Sequence, residues 1–191
     1  MMLYSYYSVS TFSNIYIVGC REHSQAVIID PARFEAPLLE FIESHNLDLT
    51  HVLITRPEPM HTHGIRTLRR IYDAEILCAV PRIDDMPATA IEDGYVLRVG
   101  DLEINTTAIT AHSQDALTFA VDHLLFTGPV LSAGDIGMEH SGYPYVLSGE
   151  MIRDRLLGRP ASTLILPREG PPSTVGLERT TNHALTSVLG R

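Results

Sequence analysis

The stretch from Thr50 to Tyr72, THVLITRPEPMHTHGIRTLRRIY, constrains the fold of this chain most. Val52 to Ile54 predict a short buried strand. Pro57 and Pro59 end the regular structure and predict an irregular loop directly after it. Apolar residues then recur at helical spacing: Ile65, Leu68, Ile71 and Tyr72. The stretch therefore predicts a strand, a stiff loop and a helix packed behind the loop.

Polar side chains lie on this loop. Glu58, His61 and His63 are held between two packed elements, a position typical of metal ligands and of acid–base groups. The alternative is an ordinary surface loop, because such loops often carry His and Glu without any chemistry.

Composition limits the class of protein. The 191 residues are 45% hydrophobic and 19% charged, which predicts one globular domain over residues 1–191. The formal net charge of -9 argues against nucleic acid or an anionic membrane as a partner, since phosphate contacts need a basic face. No run of about 18 apolar residues is present, and the N-terminus lacks a basic region before an apolar one, so we expect a cytoplasmic protein.

Both cysteines lie in apolar, strand-like runs. Cys20 ends IYIVGC and Cys78 lies in AEILCAV, so we expect small buried thiols rather than a disulfide or a nucleophile. This use of cysteine fits a reducing compartment.

The order of elements predicts two sheets with helices outside them. Strand patterns occupy residues 3–30 as a meander, the runs AEILCAV and TLIL, and hairpins from Tyr95 to Gly128, whereas helical patterns occupy residues 34–45 and 149–158. Residues 81–94 are predicted to be a connection. Together, these strands and helices predict an α/β (α+β) fold of the αββα four-layer sandwich type.

The loop resembles a known metal-binding motif. Residues 55–64 align with Thr-His-x-His-x-Asp-His of the metallo-β-lactamase superfamily, and the flanking VLIT and HGIRTLRRIYDAEI resemble its glyoxalase II-like branch. The alignment places Arg56 and Glu58 on the first two His, Met60 on the Asp and His61 on the third His.

The second half of the chain carries further motifs of that branch. Residues 110–113 (TAHS) resemble Pro-Gly-His-Ser/Thr, residues 125–129 (LFTGP) resemble Leu-Phe-Thr-Gly-Asp, and residues 166–170 (LPREG) resemble Pro-Gly-His-Gly. The tail from Gly170 to Asn182 is similar to Gly-Pro-x-Thr-Thr-Ile-Gly-x-Glu-Arg-x-x-Asn. The resemblance covers essentially the whole chain and implies the metallo-β-lactamase type of four-layer sandwich.

Asp30 has a role only through this resemblance. In the family, the Asp of Ile29-Asp30-Pro31 usually braces the metal loop. The alternative is a turn-forming Asp before proline.

The resemblance also implies that most metal-ligand positions of the family are substituted in this chain. A di-metal hydrolase of this family uses five His and two Asp, whose metals lower the pKa of bound water so that a hydroxide attacks a carbonyl. Only His61 and His112 remain at matching positions. Five of the seven ligand positions are substituted, by Arg56, Glu58, Met60, Pro129 and Arg168.

The two arginines change the charge expected in the cleft. In the family geometry Arg56 and Arg168 lie on loops that converge, where they would repel a metal cation and could bind a carboxylate or phosphate through paired N–H groups. The alternative is that Glu58 and Glu169 neutralise them, which leaves a polar cluster without a ligand.

The first hypothesis is therefore a pseudoenzyme without a cofactor. Its former active-site cleft would bind a small anionic molecule or a protein partner through Arg56, His61, His112 and Arg168, more tightly as the pH falls from about 8 to 6. A chelator would not unfold it.

The alternative hypothesis is an enzyme that resembles hydroxyacylglutathione hydrolase. It would hydrolyse a thioester or ester with a single zinc, iron or manganese ion held by Glu58, His61 and His112, with His63 as a further ligand, or with a metal-independent His base.

Overall fold

β-Strands from the two halves of the chain form separate sheets. The computed structural model describes residues 1–58, 63–137 and 143–187. Within these ranges the first sheet has the order β1-β2-β3-β4-β5-β8. Its strands are β1 (Met2–Ser8), β2 (Ser13–Cys20), β3 (Gln25–Ile29), β4 (Asp48–Leu53), β5 (Glu75–Cys78) and β8 (Thr89–Ala90).

The second sheet has the order β14-β13-β12-β11-β10-β9. Its strands are β9 (Val96–Val99), β10 (Leu102–Ala108), β11 (Leu117–Val121), β12 (Leu124–Gly128), β13 (Leu164–Pro167) and β14 (Ser173–Thr174). A small two-stranded ribbon joins β6 (Arg82–Ile83) to β7 (Met86–Pro87).

Helices cover the outer face of each sheet. They are α1 (Ala36–Ser44), α2 (His63–Leu68), α3 (Tyr143–Arg155), α4 (Val175–Thr181) and α5 (His183–Ser187). Pro37 lies in the first turn of α1, where its missing N–H has no helical partner to lose. The Thr174 side chain caps α4 by accepting a hydrogen bond from the backbone N–H of Leu177 at 3.2 Å.

Buried apolar side chains of the described residues form three clusters that correspond to the layers. One lies between the sheets and contains Tyr16, Phe119 and Phe126. A second packs the first sheet on α1 and α2, and a third packs the second sheet on α3, α4 and α5. The predicted αββα four-layer sandwich is confirmed.

All eight residues of β2 are buried, because it lies inside a sheet that is covered on both faces. Edge strand β1 instead alternates between exposed and half-buried positions. Both cysteines are free and buried, as predicted. Among the helices of the described residues, none has the length and apolar composition that a membrane crossing requires.

Several boundaries differ from those predicted. Ile71 does not belong to a buried helical face: α2 ends at Leu68, and Ile71 is 50% exposed in the turn that follows. The predicted helix at 149–158 begins earlier, at Tyr143, and ends at Arg155. The connection at 81–94 contains β6, β7 and β8, and α4 and α5 were not predicted.

Parallel strands bring the functional loops to one end of the sandwich. Strand β4 lies parallel to both β3 and β5, and β12 lies parallel to β13. The carboxyl ends of parallel strands meet at one edge, so the chain following β3, β4, β12 and β13 converges there. We call this edge the cleft end.

Candidate functional site

Asp30 fixes the start of the loop after β4. Its carboxylate accepts hydrogen bonds from the Thr55 backbone N–H at 2.8 Å and from the Thr55 hydroxyl at 2.6 Å. Asp30 is itself buried and has a left-handed backbone with φ of 50°. Both interpretations of Asp30 therefore hold, since it forms a turn and also braces the loop that carries Arg56.

Gly128 lets a second loop approach the same threonine. Its φ is +56°, and a Cβ at this position would collide with the Thr55 side chain. The Gly128 carbonyl accepts the backbone N–H of Arg168 at 3.0 Å. The loops that follow β4, β12 and β13 thus meet at one place.

The first sheet holds the Arg168 loop from the other side. Asn14 donates from Nδ2 to the carbonyls of Pro167 at 2.9 Å and Gly170 at 2.8 Å, and its backbone N–H donates to the Arg168 carbonyl at 2.7 Å. The Tyr16 hydroxyl also donates to the Pro167 carbonyl, at 2.6 Å. The position of Arg168 is therefore set by main-chain contacts on both sides.

Glu58 lies between the two arginines. Nη2 of Arg168 donates to one carboxylate oxygen of Glu58 at 2.8 Å, and Nη1 of Arg56 lies 3.0 Å from the other. Longer ion pairs join Arg56 to Asp115 and Arg168 to Glu169, each at 3.6 Å. The arginines are thus close together, as expected from the resemblance, and both are paired with carboxylates.

Several side-chain nitrogen atoms of this cluster are buried without a hydrogen-bond partner in the described part of the chain. Arg168 is only 3% exposed, yet its Nε and Nη1 are in this state, and so are Nε of Arg56 and Nδ1 of His112. A buried donor left unsatisfied costs about 1–3 kcal/mol. The polar cluster therefore has more donors than its own carboxylates satisfy.

His112 is held in its neutral form. Burial lowers the pKa of its imidazole below the usual value, and the positive charges of Arg56 and Arg168 lower it further, whereas Glu58 and Asp115 oppose the shift. A neutral imidazole can accept or donate a hydrogen bond, and it can ligate a metal or take up a proton.

The structure brings together four of the residues singled out from the sequence: Arg56, Glu58, His112 and Arg168. His61 and Met60 lie outside the described residues, as does Pro59. His63 is exposed at the first position of α2. Asp115 was not predicted, although it lies three residues after His112 in the same loop.

The tail motif has a structural role. Glu178 is 1% exposed, and its carboxylate accepts hydrogen bonds from the Gly134 backbone N–H at 3.1 Å, from Asn182 Nδ2 at 2.7 Å and from the Ser173 hydroxyl. Arg179 donates from Nε to the Leu157 carbonyl at 2.7 Å. These residues join the C-terminal helices to the loop at the cleft end.

Comparison with known proteins identifies the family. Human mitochondrial persulfide dioxygenase ETHE1 is 30% identical over 181 residues, which cover 90% of this chain and 70% of the human protein. The crystal structure of a metallo-β-lactamase from Staphylococcus aureus shares 23% identity with a TM-score of 0.85, over 97% of this chain and 62% of that one. The chain belongs to the metallo-β-lactamase superfamily.

Within that superfamily the chain lies in the glyoxalase II-like branch. A hydroxyacylglutathione hydrolase of Chromohalobacter salexigens is 26% identical over 220 aligned positions, with 93% of this chain and 84% of that enzyme covered. No protein-family model matches the chain. The suspected family is thus confirmed, and the αββα frame built around Asp30 and Thr55 is that of a metallo-β-lactamase fold.

Proposed function

We propose that this protein is a non-hydrolytic member of the glyoxalase II-like branch whose cleft binds a small anionic molecule. The observation that carries the proposal is the cluster of Arg56, Arg168 and His112, in which three guanidinium nitrogens are buried without a hydrogen-bond partner among the described residues. The ligand class is a phosphate or carboxylate, because a guanidinium binds the planar oxygens of these groups in pairs.

The chemistry of the cleft supports a site without a pair of metal ions. Arg56 and Arg168 stand at two positions where the family places histidine ligands, and Pro129 stands at the position of the bridging carboxylate. The carboxylate of Glu58 is shared by both guanidiniums, at 2.8 Å and 3.0 Å. Two fixed positive charges this close oppose a divalent cation, so the described residues do not fit the di-metal centre of the family.

The two arginines differ in burial, so we assign them different roles in binding the anion. The Arg168 side chain is 3% exposed and is held by its main chain, so it would orient the anion at the base of the cleft. The Arg56 side chain is 33% exposed and would meet the anion first. An incoming anion would compete with Glu58 for the same N–H groups, so Glu58 sets the affinity.

Calorimetric titration with phosphate, sulfate and small carboxylates tests this proposal. Wild-type protein is expected to bind one of them, and Arg56→Ala and Arg168→Ala are each expected to weaken binding at least tenfold, since a charge-assisted hydrogen bond contributes about 1.5–3 kcal/mol. Glu58→Gln removes the competing charge and should tighten binding about tenfold.

Glu169→Gln is the matched control for Glu58→Gln. Glu169 is 59% exposed and lies 3.6 Å from Arg168, so its neutralisation should change the affinity much less. An affinity that is unchanged by substitution of Arg56, Arg168 and Glu58 would refute the anion site. The site would also be refuted if neither wild type nor Glu58→Gln bound any of these ligands at millimolar concentration.

One observation favours the alternative function, a hydrolase of thioesters or esters. The lowered pKa of His112 keeps its imidazole neutral, as a metal ligand or general base must be. A single ion would then be held by Glu58, His61 and His112. Thioester hydrolysis lost on His112→Ala, together with loss of one equivalent of bound zinc, iron or manganese, would support this alternative over the pseudoenzyme.

A further inference from the structure

The end of the sandwich opposite the cleft contains a separate polar cluster. Cys20 is the last residue of β2, the turn that joins β2 to β3 carries His23, and the turn between β9 and β10 carries Asp101. Strand β3 leads away from this turn toward Asp30 at the cleft end, and β10 leads away toward the loop that carries His112. The cluster is therefore separated from the cleft by the length of the strands. We call this the turn end.

Three metal-ligand atoms of different chemistry converge at the turn end. Sγ of Cys20 lies 3.4 Å from Nδ1 of His23 and 3.6 Å from Oδ2 of Asp101, and the same Nδ1 and Oδ2 are 3.4 Å apart. In a tetrahedral zinc site with Zn–S of about 2.3 Å and Zn–N or Zn–O of about 2.0–2.2 Å, neighbouring ligand atoms are about 3.3–3.6 Å apart. The triangle observed here has the size of one face of that tetrahedron.

A glycine allows the two turns to approach this closely. Gly100 has φ of +55°, and a Cβ at this position would lie 3.0 Å from both Cys20 Sγ and His23 Cβ. Since Gly100 directly precedes Asp101, the close approach delivers the Asp101 carboxylate from the second sheet to the thiol and imidazole of the first.

Neighbouring groups lower the pKa of the Cys20 thiol. Hydrogen bonding from the Asp101 backbone, followed by that from the His23 side chain, holds the pKa of Cys20 below its usual range against the opposing effect of burial. The thiolate is the form of cysteine that ligates metals.

A pocket of about 430 Å³ adjoins the cluster. Cys20 and Asp101 both line it, together with the acidic residues Glu22, Glu103 and Asp122 and a single basic residue, Arg21. Acidic side chains around a concave surface raise the local concentration of cations.

We propose that Cys20, His23 and Asp101 form a binding site for one Zn²⁺ ion, with a fourth coordination position open to this pocket. The site uses none of the residues of the cleft. The site links the two sheets, because Cys20 belongs to the first sheet and Asp101 to a turn of the second. These two residues are 81 positions apart in the sequence.

Titration of the metal-free protein with Co²⁺, followed by displacement with Zn²⁺, tests the site. Cobalt bound to a thiolate gives a ligand-to-metal charge-transfer absorption, which reports that a cysteine holds the metal. We expect one equivalent of Co²⁺ per chain with this absorption, and its loss on adding Zn²⁺. His23→Ala and Asp101→Asn should each weaken zinc binding by on the order of 100-fold or more. Loss of a residue that only hydrogen-bonds to a metal ligand costs less, about 10–100-fold.

Variants of the two cysteines and of His112 distinguish a metal at the turn end from a metal bound elsewhere in the protein. Cys20→Ser should abolish the charge-transfer absorption, whereas Cys78→Ser, which changes the other buried cysteine, should retain it. His23 is half exposed, so His23→Ala keeps the proposal testable even if Cys20→Ser fails to fold. His112→Ala should leave the site intact, which distinguishes it from a metal in the cleft.

The proposal fails if wild-type protein shows no thiolate–cobalt absorption, because the three side chains then form a hydrogen-bonded cluster only. It also fails if zinc binding is unchanged in both His23→Ala and Asp101→Asn.

Discussion

The two ends of the sandwich bring together different kinds of polar side chain. At the cleft end, a buried guanidinium and a partly exposed one share the carboxylate of Glu58. At the turn end, a thiol, an imidazole and a carboxylate converge, and Arg21 lines the adjoining pocket together with acidic residues. The loops at the cleft end hold Arg56 and Arg168 close together, and contacts to the main chain, such as those of Asn14 and Gly128, fix the loop that carries Arg168.

The largest expected effect at the cleft end is on stability. Glu58→Ala removes the carboxylate 2.8 Å from the buried Arg168 and should lower the free energy of unfolding by about 3 kcal/mol, the low end for a broken buried ion pair because Glu169 remains at 3.6 Å. Urea titration measures this loss. If the change stays below about 1 kcal/mol, burial of Arg168 does not depend on Glu58, and the contrast between the two ends weakens.

Zinc should give the next largest effect, and it should act only at the turn end. A ligand at a free concentration about 100 times its Kd stabilises the folded state by about 2.7 kcal/mol. We expect thermal unfolding to shift upward with zinc in wild type and in His112→Ala, but not in His23→Ala. A chelator should return wild type to its metal-free Tm without unfolding it, since three apolar clusters remain. A zinc shift that His112→Ala removes would instead place the metal in the cleft.

A smaller effect should come from pH. The lowered pKa of His112 means that the unfolded chain binds more protons than the folded one below about pH 6.5, so His112 reduces stability as the pH falls through that value and has no effect well above it. Among the described residues, the charged groups that act on it are Arg56, Glu58, Arg168 and Asp115. In His112→Gln, the fall in unfolding free energy between pH 7.5 and 5.5 should be shallower. His51, whose pKa burial lowers, contributes a slope of the same sign, whereas His23, whose pKa is raised by Cys20 and Asp101, contributes one of the opposite sign.

The smallest effect should be that of Asp101→Asn in metal-free protein. The Asp101 carboxylate is 57% exposed, so its contact with His23 lies in water and contributes little to stability. Urea titration with chelator should not distinguish this variant from wild type. A clear loss without metal would indicate that Asp101 holds the two turns together by itself.

Much of this architecture follows from the sequence. The strand pattern of residues 3–30 predicts a meander, and the resemblance carried by the motif residues around Thr55 implies the sandwich and the convergence of Arg56 with Arg168. The sequence cannot choose between an open anion site and pairing with Glu58, because the choice depends on side-chain rotamers and on distances near 3 Å. The expectations for His61, for the absence of a cofactor and for a cytoplasmic location stay predictions.

The turn end was missed for a different reason. Cys20 was correctly predicted to be buried, and the spacing Cys-x-x-His in residues 20–23 was available in the sequence. Asp101 comes from another sheet, however, and only the tertiary structure brings it to within 3.6 Å of the thiol. Asp115 was missed for another reason, since it follows the motif around His112 without belonging to it.

The hydrogen bond from Gly134 to Glu178 affects how the cleft end exchanges with solvent. The loop at residues 133–137 shares a buried carboxylate with Ser173 and Asn182, so the Gly134 amide can be released only when that network breaks. Its hydrogen exchange should therefore follow the opening of the C-terminal helices rather than a local fluctuation, with similar protection for Gly134 and for the Asn182 backbone amide. This side of the cleft would then open as a cooperative unit with the end of the chain, and truncation of the helices, far along the sequence, would loosen it.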